Sequence, residues 1–458
     1  MIDRPSVIHG SRVLTPDGIR AAAVHIEGGR IVHVGGATET APASGDVIDA
    51  GDLVVMPGLV DTHVHVNEPG RTDWEGFETA TRAAAAGGVT TLLDMPLNSI
   101  PATTTVSALH EKAGAATGRI WVDVGFIGGV VPGNARALGD LARAGVRAFK
   151  CFLVPSGVPE FERVTPADLH EAMPVLASLG LPLMVHAELP APIEAATLEA
   201  AAGDPTVYAT YLASRPPAAE HEAVALVIRM AESTRARIHI VHVSSAESAA
   251  MVAHARARGV HVTAETCPHY LYFDAEHIPR GATEFKCAPP IRDAAHRHAL
   301  QAALVSGQLD MVASDHSPCP PILKRRDVGD FFVAWGGIAS LQLGASAVWT
   351  VMRQQSSKLE RLSEWMSATP ARLAGLSDTK GRIATGYDAD IVLFDPDGEL
   401  TVQADMLLHR HSLTPYLGAT LRGAVEATFV RGALAYERGT GPARTPPGRL
   451  LLPQSLHR

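Results

Sequence analysis

Two histidines at alternate positions, His63 and His65 in the run DTHVHVNEPGR from Asp61 to Arg71, open the chemistry of this chain. On a strand they share one face and can grip a single metal ion. The pattern is weak by itself, because paired histidines on a strand are also common as polar or structural residues. Other ligand types recur downstream, each at the carboxyl end of a separate apolar run: Lys150 in VRAFKCFL, His186 in LPLMVHAE, His242 in RIHIVHVSS and Asp315 in LDMVASDHS. Taken singly, each has a plain reading. His186 and His242 fit hydrogen-bonded core histidines, Lys150 can bend toward solvent, and Asp315 can cap the next helix. One shared metal centre accounts for all of them at once, since each sits where a strand feeds a loop at the end where parallel barrels do their chemistry.

Lys150 sets the kind of centre. An ammonium between Phe149 and the apolar Cys151, Phe152 and Leu153 is costly to bury unless its charge is removed or paired. A lysine amine that has captured carbon dioxide is a carbamate, N6-carboxylysine, whose two oxygens can bridge two cations. Four neutral imidazoles, one carbamate and one carboxylate would then hold two divalent ions with a hydroxide between them, which is a hydrolytic centre.

Such ligands need rigid strand ends. Apolar runs predict barrel strands near Leu59 to His65, Val89 to Met95, Ile120 to Phe126, Val146 to Leu153, Leu183 to His186, Ile238 to His242, His261 to Glu265 and Leu309 to Ser314. Helical segments such as TPADLHEAMPVLASLG and AESAAMVAHARARG lie between most of them. The fold class expected is α/β, a (β/α)8 TIM-type barrel. A doubly wound open sheet is the alternative, but no G-x-G-x-x-G follows an early strand, and the ligands would go unexplained. Short alternating strands with Gly-rich turns mark both chain ends, and chain termini tend to lie close together. They predict one composite β-sandwich domain from residues 1-57 and 380-458, with the barrel at 58-379.

At 458 residues the chain is long enough for a barrel plus such a module, and 46% apolar residues suffice for a large core. The net charge of −9 comes without a run of like charges, so nothing points to nucleic acid or a membrane. Cys151, Cys267, Cys287 and Cys319 have neither zinc-ribbon nor disulfide-scaffold spacing, and no apolar leader follows the opening Asp3, Arg4 and Pro5. The expectation is reduced thiols and a cytoplasmic, soluble protein.

The order HxH, Lys, His, His, Asp resembles the cyclic-amidohydrolase branch of the amidohydrolase superfamily, which includes dihydroorotases, hydantoinases (dihydropyrimidinases) and allantoinases. Nearly the whole chain takes part, because KGRIATGYDADIVLFDP, Lys380 to Pro396, is similar to that family's return into its β-domain. Within the branch, HVHVNEPGRTDWEGFETATRAAAAGGVTTLLDMPLNSIP, FKCFL, ETCPHYL, KCAPPIR, SDHSPCP and AWGGIASLQ look most like the allantoinases. The resemblance implies that His63, His65 and Asp315 bind the more buried ion, His186 and His242 the second, and carbamylated Lys150 both. It implies a metal-bridging hydroxide that attacks a ring amide, with Asp315 as general base and then general acid. Zinc, manganese, cobalt and iron all suit the donor set. A homotetramer acting on a small cyclic ureide is implied as well.

Two departures bear on the substrate. Dihydroorotases carry an arginine two residues beyond the second histidine; here that position is Asn67, which favours a neutral substrate, although Arg71 lies nearby. Hydantoinases carry a tyrosine five residues after the bridging lysine; here that position is Pro155, which leaves the oxyanion partner unassigned. Allantoin, a neutral hydantoin ring with a ureido arm, fits both, and its hydrolysis would give allantoate. Asn98 is a candidate substrate contact or else a turn residue. Cys287, Ala288 and Pro289 resemble a segment that contacts the ring, and Ser317 and Gly337 lie in loops near the ureido arm. The segment PCPPILKRRDVGDFF is a lid or an oligomer contact. Two alternatives stay open: a hydantoinase acting on another cyclic ureide, and a non-catalytic scaffold that has lost its metals.

Overall fold

Strands buried on both faces read as continuous apolar runs, because helices cover the outside of a parallel sheet while side chains fill the inside. The computed structural model describes residues 4–37, 39 and 46–453. Its eight parallel strands span Leu59–Val64, Val89–Asp94, Asp123–Gly129, Ala148–Phe152, Leu183–His186, Ile238–Ile240, Val262–Thr266 and Met311–Val312. They pair in chain order, and all their residues except Thr263 are buried. A parallel bridge between Val64 and His316 joins last to first, with the His65 N–H donating to the His316 carbonyl at 2.8 Å. Asp61 reinforces this seam by accepting from the His63 N–H at 3.1 Å and the Ser314 N–H at 3.2 Å. The result is a (β/α)8 barrel. Its helices follow local sequence rules: Pro166–Leu179 opens with a Thr165–Asp168 capping box and closes on left-handed Gly180.

Only Leu183–His186 keeps the bounds read from the sequence; the others shift by one to three residues, and the third, sixth and eighth strands show why. The third begins at Asp123 rather than Ile120, because the residues before it are tied to the C-terminal segment. Gly448 donates to the Ile120 carbonyl at 3.0 Å, and the Trp121 indole donates to the Ala443 carbonyl at 2.8 Å. The strand then runs through Gly128 and Gly129, where an added Cβ would lie 2.7 Å from the Phe149 ring and 2.5 Å from the Phe161 ring. The sixth and eighth strands stop early, at Ile240 and Val312, because the chain leaves extended geometry on entering the site. His242 and Asp315 have φ values of 40° and 44°.

Both chain ends contribute to one second sheet. Its order runs Gly441–Pro442, Ala433–Glu437, Thr420–Val430, Ile391–Thr401, Val54–Pro57, Val7–Thr15, Gly18–Glu27 and Arg30–Gly35, with Val47–Asp49 beside Val7–Thr15. At its centre Ile391–Phe394 pairs antiparallel with Val54–Pro57, so early and late segments meet edge to edge. Ile8, Val24, Val55, Ile391 and Phe429 form its apolar core. Among the described residues no helix is long and apolar enough to cross a membrane.

A buried ion cluster fastens this sheet to the barrel. The Lys380 ammonium lies 2.7 Å from Asp123 at the start of the third barrel strand, 3.0 Å from Asp388 and 2.6 Å from Asp390. Arg431 pairs with Asp123, and Arg449 with Asp388 at 2.9 Å. The three aspartates have the chemistry of a cation site, but the ammonium already supplies the charge. Burial opposes the charged forms; even so, the carboxylates hold Lys380 protonated, and Lys380 and Arg431 hold Asp123 below the usual carboxylate range. Lys380→Met should cost about 3–5 kcal/mol, because it strands buried carboxylates without a counter-charge. An unchanged denaturation midpoint would contradict this account.

Candidate active site

His63 and His65 project from the end of the first barrel strand on alternate positions, so both rings reach one region, with centroids 5.5 Å apart. His63 Nε2 lies 3.2 Å and His65 Nε2 3.5 Å from the same Asp315 oxygen. On its far side His63 Nδ1 meets Glu265 at 2.5 Å, and Glu265 also meets His239 Nε2 at 3.0 Å. That carboxylate orients the ring through Nδ1 and turns Nε2 toward Asp315; burial opposes the charged ring, but Asp315 and Glu265 raise His63 above its ordinary value. Burial opposes ionisation of Asp315, but His63 and His65 keep its carboxyl well below the ordinary range.

The remaining candidates adjoin this group. The His242 ring lies 5.4 Å from His63 and 4.6 Å from His186, and His186 stacks on Phe152 at 4.6 Å. His186 Nε2 contacts Glu188 at 2.8 Å, and Glu188 is clamped by Arg215 at 2.5 and 3.2 Å. Lys150 Nζ is fully buried 4.0 Å over the Phe152 ring, with the Cys151 carbonyl at 3.4 Å. No carboxylate pairs with it among the described residues, and burial draws its amine down to about 7.

These residues fit a metal centre. His65 Nδ1 and His242 Nδ1 are buried without a protein partner. Burial brings His65 down to about 4, and burial together with His186 and Lys150 keeps His242 well below its ordinary value, so these rings are neutral donors. Donor atoms of His63, His65 and Asp315 already lie within 4.8 Å of one another. His186 and His242 stand beside that trio without closing into the same tight group.

His63, His65, His186, His242 and Asp315 line a cavity of about 280 Å³, and Lys150 lies outside its lining. Of the substrate-contact candidates, Asn98, Cys287, Ala288, Ser317 and Gly337 line it and Pro289 does not. The Pro289 carbonyl instead accepts from the Tyr270 hydroxyl at 2.6 Å. Asn98 Oδ1 is buried and unpartnered, which leaves it free to meet a ligand. Burial pushes the Cys287 thiol up to about 12, so it is a small neutral wall residue. Gly337 has φ 133°, and an added Cβ would lie 2.2 Å from the Ser317 carbonyl, so only glycine fits there.

Several wall residues had not been singled out from the sequence: Tyr211, Arg215, Lys286 and Trp335. Trp335 packs edge-on against Trp74 at 4.8 Å. Glu265 and Glu188, which contact His63 and His186, were likewise not singled out. Their signal was an acid at, or two residues beyond, a strand end, but their histidine partners cannot be read from spacing. The segment at 318–332 is tied at two points, with Phe331 buried against Tyr208 and Lys324 donating to the carbonyls of Trp335 at 3.0 Å and Gly337, while Ile322 and Val328 are exposed. Asn67 turns its amide to the Pro318 carbonyl at 3.3 Å. Arg71 is paired with Glu160, so it is not a free charge for a substrate carboxylate. Pro155 lines the cavity, and the neighbouring Ser156 hydroxyl donates to the Phe161 carbonyl at 2.6 Å.

Comparison with known proteins bears on this site. The profile described as "Amidohydrolase family" matches residues 54–435. An allantoinase of Streptomyces avermitilis is 48% identical over 451 residues, covering 98% of this chain and 99% of that protein. An allantoinase of Arabidopsis thaliana is 44% identical, covering 94% and 88%. Among solved structures, the L-hydantoinase (dihydropyrimidinase) of Arthrobacter aurescens superposes with a TM-score of 0.92 at 31% identity, covering 98% and 99%.

Proposed function

The chain belongs to the amidohydrolase family, and from that premise we propose that it opens the hydantoin ring of allantoin to give allantoate. The observation that carries the reading is a six-residue donor set, five of whose members, all but the buried Lys150, line a cavity whose guanidinium, Arg215, is already neutralised by Glu188. A neutral, polar ring suits such a wall better than an anionic one. Near-full-length identity to allantoinases supports the choice of substrate.

In this reading His63, His65 and Asp315 would hold one divalent ion, His186 and His242 would hold a second, and Lys150, carboxylated by carbon dioxide, would serve as a ligand to both. Zinc is the ion we favour, with manganese, cobalt and iron compatible with the same donors. Ions bound there would polarise the ring carbonyl and bring the pKa of water toward neutrality. The protein's own groups do the rest. Asp315, held ionised, takes the proton of the attacking water and passes it to the ring nitrogen as the C–N bond breaks. Glu265 fixes the orientation of His63, and Glu188 that of His186. Asn98 accepts from a ring or ureido N–H, and Ser317 and Gly337 flank the ureido arm.

We read the working form as a cytoplasmic homotetramer. Four buried, unpaired cysteines support a reducing compartment, and sedimentation of the purified protein tests the assembly. A hydantoinase is the second reading, favoured by the close superposition on the Arthrobacter enzyme. The deciding experiment compares ring opening of racemic allantoin, hydantoin, dihydrouracil and dihydroorotate, with metal assayed in the same sample. Allantoin should lead by at least about tenfold in kcat/KM, a difference of ~1.4 kcal/mol in transition-state binding. Bound metal with allantoin inert would refute the substrate and spare the hydrolytic centre.

A further inference from the structure

Two buried residues beside the site, Cys267 and His269, have no part in the reaction described above. The strand Val262–Thr266 runs into the short helix Pro268–Tyr272 through Cys267, and His269 follows two residues later. Both side chains are fully buried. Neither ring nitrogen of His269 has a hydrogen-bond partner, although a buried imidazole left unpaired is costly. Its ring packs against Tyr270 at 4.3 Å. The Cys267 sulfur, a His269 nitrogen and an Asp315 oxygen lie within 4.8 Å of one another. That is a sulfur, nitrogen and oxygen donor set with the spacing of a metal site.

We propose that Cys267, His269 and Asp315 form a second, inhibitory site for one soft divalent cation, which captures the carboxylate that the productive centre needs. Asp315 belongs to two donor groups, one with His63 and His65 and one with Cys267 and His269. Only the second contains sulfur, so it selects thiophilic ions such as cadmium or excess zinc over magnesium or calcium. Binding displaces the Cys267 proton to solvent and forms one bond each to sulfur, nitrogen and oxygen, with no change of oxidation state. An Asp315 oxygen engaged there can no longer take the proton of the attacking water. The inhibitory consequence rests on the role proposed above for Asp315, whereas the binding does not.

The test adds cadmium ion to the purified enzyme carrying its own metals, and follows thiolate-to-cadmium charge-transfer absorption alongside allantoin turnover. The productive donors contain no sulfur, so the absorption reports a cysteine site even if cadmium also exchanges into the main centre. In the wild type the absorption should rise as turnover falls. Cys267→Ser should abolish the absorption and raise the half-inhibiting cadmium concentration at least ~10-fold, about 1.4 kcal/mol of binding. Cys287→Ser, at the cavity wall, should keep the absorption. If Cys267→Ser fails to fold, His269→Gln decides the matter by requiring at least ~10-fold more cadmium for the same absorption. Absorption that survives Cys267→Ser, that disappears in Cys287→Ser instead, or that rises without loss of turnover overturns the proposal. If no cyclic ureide is turned over, the function proposed above fails, while the absorption still reports on the site.

Discussion

Replacing Asp315 with Asn should leave most of the metal bound and lower kcat by about 10²–10⁴, the usual worth of a positioned acid–base group. The amide keeps the size of the carboxylate and one oxygen toward His63 and His65, which approach the present oxygen to 3.2 and 3.5 Å. What it loses is the capacity to accept a proton. Asp315 is suited to that task because the neighbouring imidazoles hold it ionised in spite of burial. Metal content and kcat measured on one sample separate the two effects. Near-normal turnover by Asp315→Asn would remove the residue from proton transfer, and loss of metal in step with loss of turnover would make it a ligand only.

The second large effect is expected at Lys150. Its amine is fully buried over the Phe152 ring and has no carboxylate to pair with among the described residues, an arrangement that disfavours the ammonium. With the amine brought down to about 7, a sizeable neutral fraction is available to capture carbon dioxide at physiological pH. Lys150→Ala should therefore lose most bound metal and nearly all turnover. Formate, acetate or propionate, supplied with fresh metal, should restore part of both by placing a carboxylate where the carbamate stood. If the variant keeps its metal and activity, Lys150 is not the bridge. If no short acid restores turnover while chloride does equally well, the carbamate reading falls.

How much of this was legible in the sequence depended on distance along the chain. His63 and His65 were readable because strand geometry relates neighbours, and the later ligands because each ends an apolar run. Glu265 was not, since its tie to His63 spans 202 positions. The neutralisation of Arg71 by Glu160 is similarly remote, 89 positions apart, and changes what Arg71 can do. Strand boundaries shifted where a partner outside the barrel claimed the backbone. Ile120 and Trp121 carry the pattern of a strand but bond to the C-terminal segment, while Gly128 and Gly129 do not carry it yet are in the strand because aromatic rings need the room. Pro289 belongs to the segment that resembles a ring contact, but its carbonyl is taken by Tyr270.

The pairing of Val54–Pro57 with Ile391–Phe394 also has a consequence for synthesis. During translation the N-terminal hairpins emerge early, with one edge of Val54–Pro57 lacking its neighbour until the other strand leaves the ribosome. At about 5–20 residues per second that wait lasts on the order of tens of seconds. Throughout it a row of apolar residues and open backbone groups is available to any passing chain, the circumstance in which nascent proteins pair wrongly. The whole barrel is made in the meantime, and the last strands then arrive at an edge already anchored to it. A ribosome-bound fragment ending before Ile391 should therefore depend on chaperones far more than the finished protein does.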